Sequence, residues 1–168
     1  LVMGNDKPVS SENVVLAGDP VVKEVYAEKE LYFNQNGQLI LIRVTKPVYA
    51  DALDKAFEAY KKAYEVDVKK SKVKDITNGL DLLTQNYLDD GMNCYMFEDY
   101  AKASQLFGKA ADASATEPYS KVDTTALYNA GFTAWMMKDY PRAEEYFNKC
   151  VEAGYYYEGG EVFAKLAD

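Results

Sequence analysis

Apolar residues recur at intervals of three and four along most of the chain after residue 47, which is the spacing of one face of an α-helix. The first such stretch is ALDKAFEAYKKAYEVD, in which Ala56, Tyr60 and Ala63 fall on a single stripe. Further stretches with this periodicity cover residues 73–97, 100–113, 124–137 and 140–153. The pattern therefore predicts helices in these segments, arranged after the first as two pairs with a short break inside each pair.

The breaks carry residues that usually begin and end helices. Asp99 and Asp139 precede the second helix of each pair, where a carboxylate can accept a hydrogen bond from a free backbone N–H. Pro141 is tolerated in a first turn, because no helical hydrogen bond is lost there. Gly154 follows the last periodic residue, as a C-terminal cap does. The segment SATEPYSKVD has no apolar periodicity, so we expect a loop between the two pairs.

The two helix pairs repeat one sparse skeleton. Residues 88–110 and 128–150 align without a gap and share Gly, Met, Asp, Tyr, Ala, Phe and Lys at equivalent places. Gly91 and Gly131 lie inside the first helices, where glycine costs ~1 kcal/mol relative to alanine. Such a cost is reasonable if the backbone or a ring of another helix must come close. The expected neighbours on the second helices are Ala103, Ala143, Phe107 and Phe147.

The first 47 residues do not show the helical spacing clearly. The segment VVLAG contains a small pair, Ala17 and Gly18, that suits the first helix of an atypical repeat, although Pro20 follows closely. The segment NGQ before LILIRV suits either a turn that leads to a short strand or the entry of a helix. The sequence does not decide between these two alternatives.

Composition limits the classes of partner. The 168 residues are 48% hydrophobic, which is enough to fill the core of an ordinary domain. The net charge is −8 and the pI is near 4.7, so the chain is a poor candidate for binding nucleic acid or an anionic membrane surface. The longest apolar run is LILI, far short of the ~20 residues that a membrane-spanning helix needs.

Two absences in the composition narrow the chemistry. The chain has no His, which is the commonest general base and metal ligand. Cys94 and Cys150 are too few for a cysteine-only zinc site, and each falls within a helical pattern, so we expect buried thiols. Acidic clusters at LDDG, FED and AEEY lack the spacing of a calcium-binding loop. We therefore predict no catalytic residue, no metal site, no cofactor and no enzymatic activity.

The repeated skeleton resembles the tetratricopeptide repeat, a helix pair with a period of roughly 34 residues. In the last pair Ala130 and Gly131 fall on the Leu–Gly pair of that family, and Tyr140, Ala143 and Phe147 match its second helix. The preceding pair matches at Tyr87, Gly91, Tyr100, Ala103, Phe107 and Ala110. The departures from the family pattern include Leu127, Ala134, Cys150, Asp90 and Cys94. The resemblance implies an all-α fold, a right-handed α-solenoid of antiparallel helix pairs.

This resemblance divides the chain into repeats. Residues 1–47 are a divergent N-terminal segment, with the first helix of an atypical repeat and an insert, and residues 48–70 are the second helix of that repeat. Residues 71–115 and 116–155 are the next two repeats. Residues 156–168 are the truncated first helix of a further repeat.

The resemblance also implies a ligand groove on the faces of the first helices that turn away from the second helices. The residues at those places are Leu88, Met92, Tyr95, Met96, Thr125, Tyr128, Phe132, Trp135 and Met136. Tyr, Trp and Met are typical of surfaces that bind peptides. We therefore expect a non-enzymatic scaffold that binds a protein or peptide of unknown identity in an aromatic concave groove. The alternative for these residues is an ordinary core covered by neighbouring helices.

A second function is compatible with the same pattern. The chain would then be a structural spacer or assembly module, with a groove filled by its own N-terminal segment or by a second copy. The sequence pattern of the repeats is similar to that of long tetratricopeptide proteins of the Gram-negative cell envelope. That similarity favours the periplasm or the envelope, whereas unpaired thiols are more typical of the cytoplasm.

Overall fold

The computed structural model describes residues 7–47, 49 and 51–167. The chain forms two compact units. The first consists of Leu1–Ala50 with Met96–Glu98, and the second consists of Asp51–Tyr95 with Asp99–Asp168. Each unit has buried residues of its own.

The first unit is a four-stranded antiparallel sheet in which each strand pairs with the next along the chain. The strands are β1 (Ser10–Leu16), β2 (Asp19–Val25), β3 (Lys29–Phe33) and β4 (Leu39–Val44). Ala17 and Gly18 join β1 to β2, and both have positive φ angles, 50° and 88°. A two-residue loop of this kind has the twist that antiparallel strands require.

This sheet makes the predicted all-α, right-handed α-solenoid wrong, and with it the description of the whole chain as a helical repeat. The prediction extended the resemblance to helical repeats over residues 1–47, which include four strands whose side chains follow the two-residue alternation of β-structure. In β1 and β2, Val14 pairs with Val21 and Leu16 with Asp19, and β-branched residues fit such a pleated surface well. The pair Ala17 and Gly18, taken as part of a first helix, is a hairpin turn. Of the two alternatives for LILIRV, the strand is the one observed, as β4.

One face of the sheet carries most of the buried side chains of the first unit, whereas Leu31, which is 2% exposed, is buried on the other face. Tyr32 on β3 lies opposite Lys23 on β2 and Leu41 on β4, so these residues share the first face. The Tyr32 ring meets the ring of Phe97 edge-on, with centroids 5.2 Å apart. The buried cluster consists of Leu16, Val21, Tyr32 and Leu41, with Val14, Met96 and Phe97 packed against it.

A ladder of alternating charges crosses all four strands on the same face. Lys23 Nζ lies 3.2 Å from a Glu12 carboxylate oxygen and 3.4 Å from a Glu30 oxygen. Arg43 on β4 also lies 3.4 Å from Glu30, and the Tyr32 hydroxyl donates to Glu30 at 2.9 Å. Cross-strand pairs of opposite charge of this kind stabilise a sheet register.

The second unit is helical, as the apolar spacing predicts after residue 47. Its helices are α1 (Ala52–Val66), α2 (Val73–Met96), α3 (Tyr100–Ala115), α4 (Thr124–Met136), α5 (Tyr140–Glu152) and α6 (Glu161–Ala167), with a short 3-10 turn at Glu158–Gly160 before α6. None of the helices in the described part of the chain combines the length and apolar character that crossing a lipid bilayer requires.

The predicted helix ends are confirmed. The carboxylates of Asp99 and Asp139 accept bonds from backbone N–H groups in the first turns of α3 and α5. After α5, the Gly154 N–H donates to the Val151 carbonyl and the Tyr155 N–H donates to the Cys150 carbonyl. With a φ of +73° at Gly154, this is the usual glycine-based C-terminal cap.

The predicted close approach at the helical glycines is also confirmed. A Cβ atom added to Gly91 on α2 would lie 2.7 Å from the Phe107 ring on α3. A Cβ atom added to Gly131 on α4 would lie 2.9 Å from the Phe147 ring on α5. Both rings are almost fully buried. The two helix pairs therefore pack in the same way, each with a phenylalanine ring seated on a glycine.

Candidate functional site

A cavity of about 320 Å³ opens on the second unit. Its lining residues come from α2, α3, α4, the segment after α5 and the start of α6, and they are Met92, Tyr95, Phe107, Tyr128, Asn129, Phe132, Thr133, Tyr157 and Glu161. This cavity is called the aromatic pocket below. Its volume is at the low end of the ~300–1,000 Å³ typical of ligand sites, a size suited to one or two amino-acid side chains.

Aromatic rings dominate the wall of the aromatic pocket. Tyr128 and Phe132 lie one turn apart on α4 with ring centroids 6.0 Å apart, and Tyr95 of α2 faces Phe132 at 6.4 Å. Tyr157 stacks on Tyr128 at 4.4 Å with an interplanar angle of only 9°. Two helices and the segment after α5 hold these rings against one another, so the surface is largely preformed.

A carboxylate completes the wall. Glu161, the first residue of α6, lines the pocket and interacts with the Tyr128 hydroxyl. Burial and the charge of Glu161 together raise the pKa of Tyr128 above its ordinary value, because both disfavour the phenolate. Tyr128 therefore stays neutral and remains a hydrogen-bond donor at physiological pH.

A lysine of the chain occupies the surface beside the pocket. Lys165 Nζ lies 4.0 Å from the centroid of the Trp135 ring and 5.1 Å from that of Phe132. It also lies 2.9 Å from Glu161, one turn earlier on α6, and only 10% of the Lys165 side chain is exposed. Trp135 and Phe132 stack with centroids 6.3 Å apart. A buried ammonium group is thus held by two aromatic faces and one carboxylate.

Four of the nine predicted groove residues come together in the aromatic pocket, and they are Met92, Tyr95, Tyr128 and Phe132. They belong to two different helices, α2 and α4. Met92 is 46% exposed, so its side chain is accessible at the mouth of the cavity.

The other five predicted residues lie elsewhere. Leu88 and Trp135 are partly buried against the main hydrophobic cluster, and Trp135 is covered by Lys165. Thr125 is exposed, and Met136 is partly buried. Met96 packs against the buried cluster of the first unit, because it is the last residue of α2 and belongs to that unit.

Sequence reasoning missed three residues that shape the site. Tyr157 falls in the segment that the resemblance makes the first helix of a further repeat, but it lies before α6, and Tyr155 and Tyr157 both contact Tyr128. Glu161 and Lys165 stand four residues apart on α6, a spacing that predicts an ion pair along a helix. That spacing gives no indication of the rings on α4 against which the pair packs.

The residues that the structure describes include the buried thiol of Cys150 but no metal-binding cluster. Among them, no group of three or more Cys, Asp or Glu side chains is placed to hold a metal ion. Cys150 is a fully buried thiol, and burial raises its pKa to about 11. A thiol of that pKa is a poor nucleophile at neutral pH.

In comparisons with known proteins, no family model matches the chain and no curated protein matches it significantly.

Proposed function

We propose that the second unit is a non-enzymatic protein-interaction module, which binds a peptide or a helix of a partner in the aromatic pocket. The observation that supports this proposal is the convergence of Met92, Tyr95, Tyr128 and Phe132 from two helices on one open cavity. Tyr is among the residue types that contribute most to binding at interfaces, and the flexible Met side chain adapts its shape to a ligand.

The packing of the helices supports a mechanism based on a preformed site. Phe107 contributes to the pocket wall and is itself seated against Gly91, so the distance between α2 and α3 is closely defined. A rigid surface loses little conformational entropy when a ligand binds. The helix pairs would then work as tetratricopeptide repeats do, with the first helices of successive pairs presenting the ligand site.

A structural or assembly role is the second candidate, and one observation favours it. The segment from Tyr155 to α6 covers part of α4, since Tyr157 stacks on Tyr128 and Lys165 covers Trp135. In this alternative the rings of α4 are core for the following helix. The pocket would then be a packing defect with no ligand.

A peptide selection with two matched variants tests the proposal. Random peptides displayed on phage are selected against the intact protein, and the affinities of the selected peptides are measured by titration calorimetry. Met92→Lys places a charge at the mouth of the pocket. Leu82→Lys makes a similar change on the same helix, at a residue that is 64% exposed and outside the pocket lining.

We expect Met92→Lys to weaken the selected peptides by about tenfold or more, which corresponds to ~1.4 kcal/mol, and Leu82→Lys to leave them within about twofold. Unfolding by urea should show that both variants remain folded. If the two variants bind alike, or if no peptide is selected, the structural role is favoured instead.

A further inference from the structure

We propose that the aromatic pocket accepts a basic side chain, a lysine or an arginine flanked by apolar residues in the bound peptide. This inference rests on the proposed function and names the chemistry of its ligand. The supporting observation is that the chain already binds one of its own cations, the ammonium group of Lys165, beside the pocket.

Lys165 shows which groups hold a cation on this face of α4. Its ammonium group lies over the rings of Trp135 and Phe132 and pairs with Glu161 at 2.9 Å. Only 10% of the Lys165 side chain is exposed, and cation–π attraction becomes stronger as a cation loses contact with solvent. The ring faces and the carboxylate replace the lost solvent.

The aromatic pocket is lined by the same kinds of group that hold Lys165, namely aromatic rings and the Glu161 carboxylate. Phe132 and Glu161 belong both to the Lys165 site and to the pocket lining, and Tyr95, Tyr128 and Tyr157 add three more rings. A carboxylate has two oxygens with about four acceptor positions. Glu161 can therefore accept a bond from an incoming ammonium or guanidinium group while it keeps its pair with Lys165.

The net negative charge of the chain also favours a cationic ligand. The net charge is −8, and acidic side chains outnumber basic ones over residues 75–168, which contain the whole pocket lining. Asp89 and Asp90 precede Met92 on α2 and are both exposed. An anionic peptide would be repelled by this field, whereas a basic one would be attracted.

The first test uses the unmodified protein and the peptide selection described above. We expect the selected peptides to share a Lys or Arg flanked by apolar residues. Replacement of that residue by norleucine, which keeps the aliphatic chain and removes the charge, should weaken binding about tenfold. Peptides that bind through Met92 but contain no basic residue, or that tolerate norleucine, would overturn this inference and leave the proposed function standing. A failure to select any peptide would overturn both.

The second test assigns the charge recognition to one residue. Glu161→Gln should weaken the basic peptide about fivefold or more and its norleucine analogue less than twofold. Glu145→Gln is the matched control, because Glu145 also pairs with a lysine one turn later, at 2.6 Å, but on α5 and outside the pocket. Equal effects of the two variants on the basic peptide would contradict the assignment of Glu161. The fluorescence of Trp135, the only Trp, reports whether Lys165 stays in place.

Discussion

At the scale of single residues, the second unit is organised by glycines that receive aromatic rings. Gly91 and Gly131 occupy equivalent places in α2 and α4, and each is covered by a phenylalanine from the following helix. Glycine is unfavourable inside a helix, so its presence at both places is explained by the ring that lies against it. The same contact sets the position of Phe107, which forms part of the pocket wall.

Gly91→Ala should therefore destabilise the protein. The new methyl group would lie 2.7 Å from the Phe107 ring, which is 1% exposed, so the ring or the helix backbone must shift. Overpacking of this kind lowers the free energy of unfolding by about 1–3 kcal/mol. The better helix propensity of alanine offsets about 1 kcal/mol of that loss. Urea denaturation should show a lower free energy of unfolding.

Gly79→Ala on the same helix is the control for this prediction. Gly79 is covered by the outer end of the Tyr60 ring, and Tyr60 is only partly buried, so the ring can swing outward. This substitution should cost less than Gly91→Ala. Equal free energies of unfolding for the two variants would contradict the role given to Phe107.

These residue contacts were predictable to different degrees. The Gly–Phe pairs follow from a skeleton that occurs twice in the sequence, and the Asp99 and Asp139 caps follow from local rules. The contact of Lys165 with Trp135 could not be predicted. It depends on how α6 packs on α4, and periodicity within one helix does not specify which helix lies against it.

At the scale of elements, one carboxylate ties three helices of the second unit together. Asp54 on α1 lies 2.7 Å from Lys109 Nζ on α3 and accepts a bond of 2.7 Å from the hydroxyl of Tyr87 on α2. The bonds from Lys109 and Tyr87 lower the pKa of Asp54. The spacing along the chain gives no sign of this junction, because its members are far apart in sequence.

Asp54→Asn should lower the free energy of unfolding by at most about 1 kcal/mol at pH 7, since the pair is half-exposed and screened by solvent. The pKa of Asp54 is lower in the folded state, so its contribution is present above the ordinary value of 3.8 and is lost as the pH falls through the folded value. NMR titration of the Asp54 carboxyl carbon should give a midpoint below 3.8. A midpoint at or above that value would contradict the ion pair.

The sheet depends in a comparable way on Glu30. Burial of this carboxyl opposes its ionisation, but the bond from Tyr32 and the charge of Lys23 outweigh burial and lower its pKa. Glu30→Gln should reduce the stability of the strands by roughly 1–3 kcal/mol, measured by hydrogen exchange of the β2 and β3 amides. The effect should be present above pH 4.5, the ordinary pKa, and be lost as the pH falls through the lower pKa of the folded state.

Glu24→Gln provides the control in the same strands. Glu24 also accepts a bond from a tyrosine two residues later, Tyr26 at 2.7 Å, but it is outside the charge ladder. We expect a change within about 0.5 kcal/mol. Equal losses of protection in the two variants would show that the ladder contributes nothing specific.

The sheet was missed for a physical reason. Strands are stabilised by partners that are distant in sequence, so a short strand such as β3, with only five residues, gives a weak local signal. The resemblance of the later segments to helical repeats was extended over residues 1–47 on the strength of Ala17 and Gly18. Small residues of this kind serve a close helix contact and a tight hairpin equally well.

At the scale of the whole molecule, the excess of acidic charge gives the inferred ligand recognition a dependence on salt. Attraction between the chain, with its net charge of −8, and a basic peptide is screened as the ionic strength rises. The affinity of a lysine peptide should fall several-fold between about 50 and 500 mM salt, mainly through the association rate. The norleucine analogue should change little over the same range. Equal salt dependence of the two peptides, measured by stopped-flow fluorescence, would show that no specific charge is recognised.

Ligand binding in the aromatic pocket can be followed at a single atom by NMR of methionine methyl groups. The chain has five methionines, and among those in the part of the chain that the structure describes, Met92 is the one that lines the pocket. Titration of the ¹³C-methyl-labelled protein with a selected peptide should shift the Met92 signal in a saturable way, with the same Kd as calorimetry. A peptide that binds with that Kd while the Met92 signal stays unchanged would contradict the account.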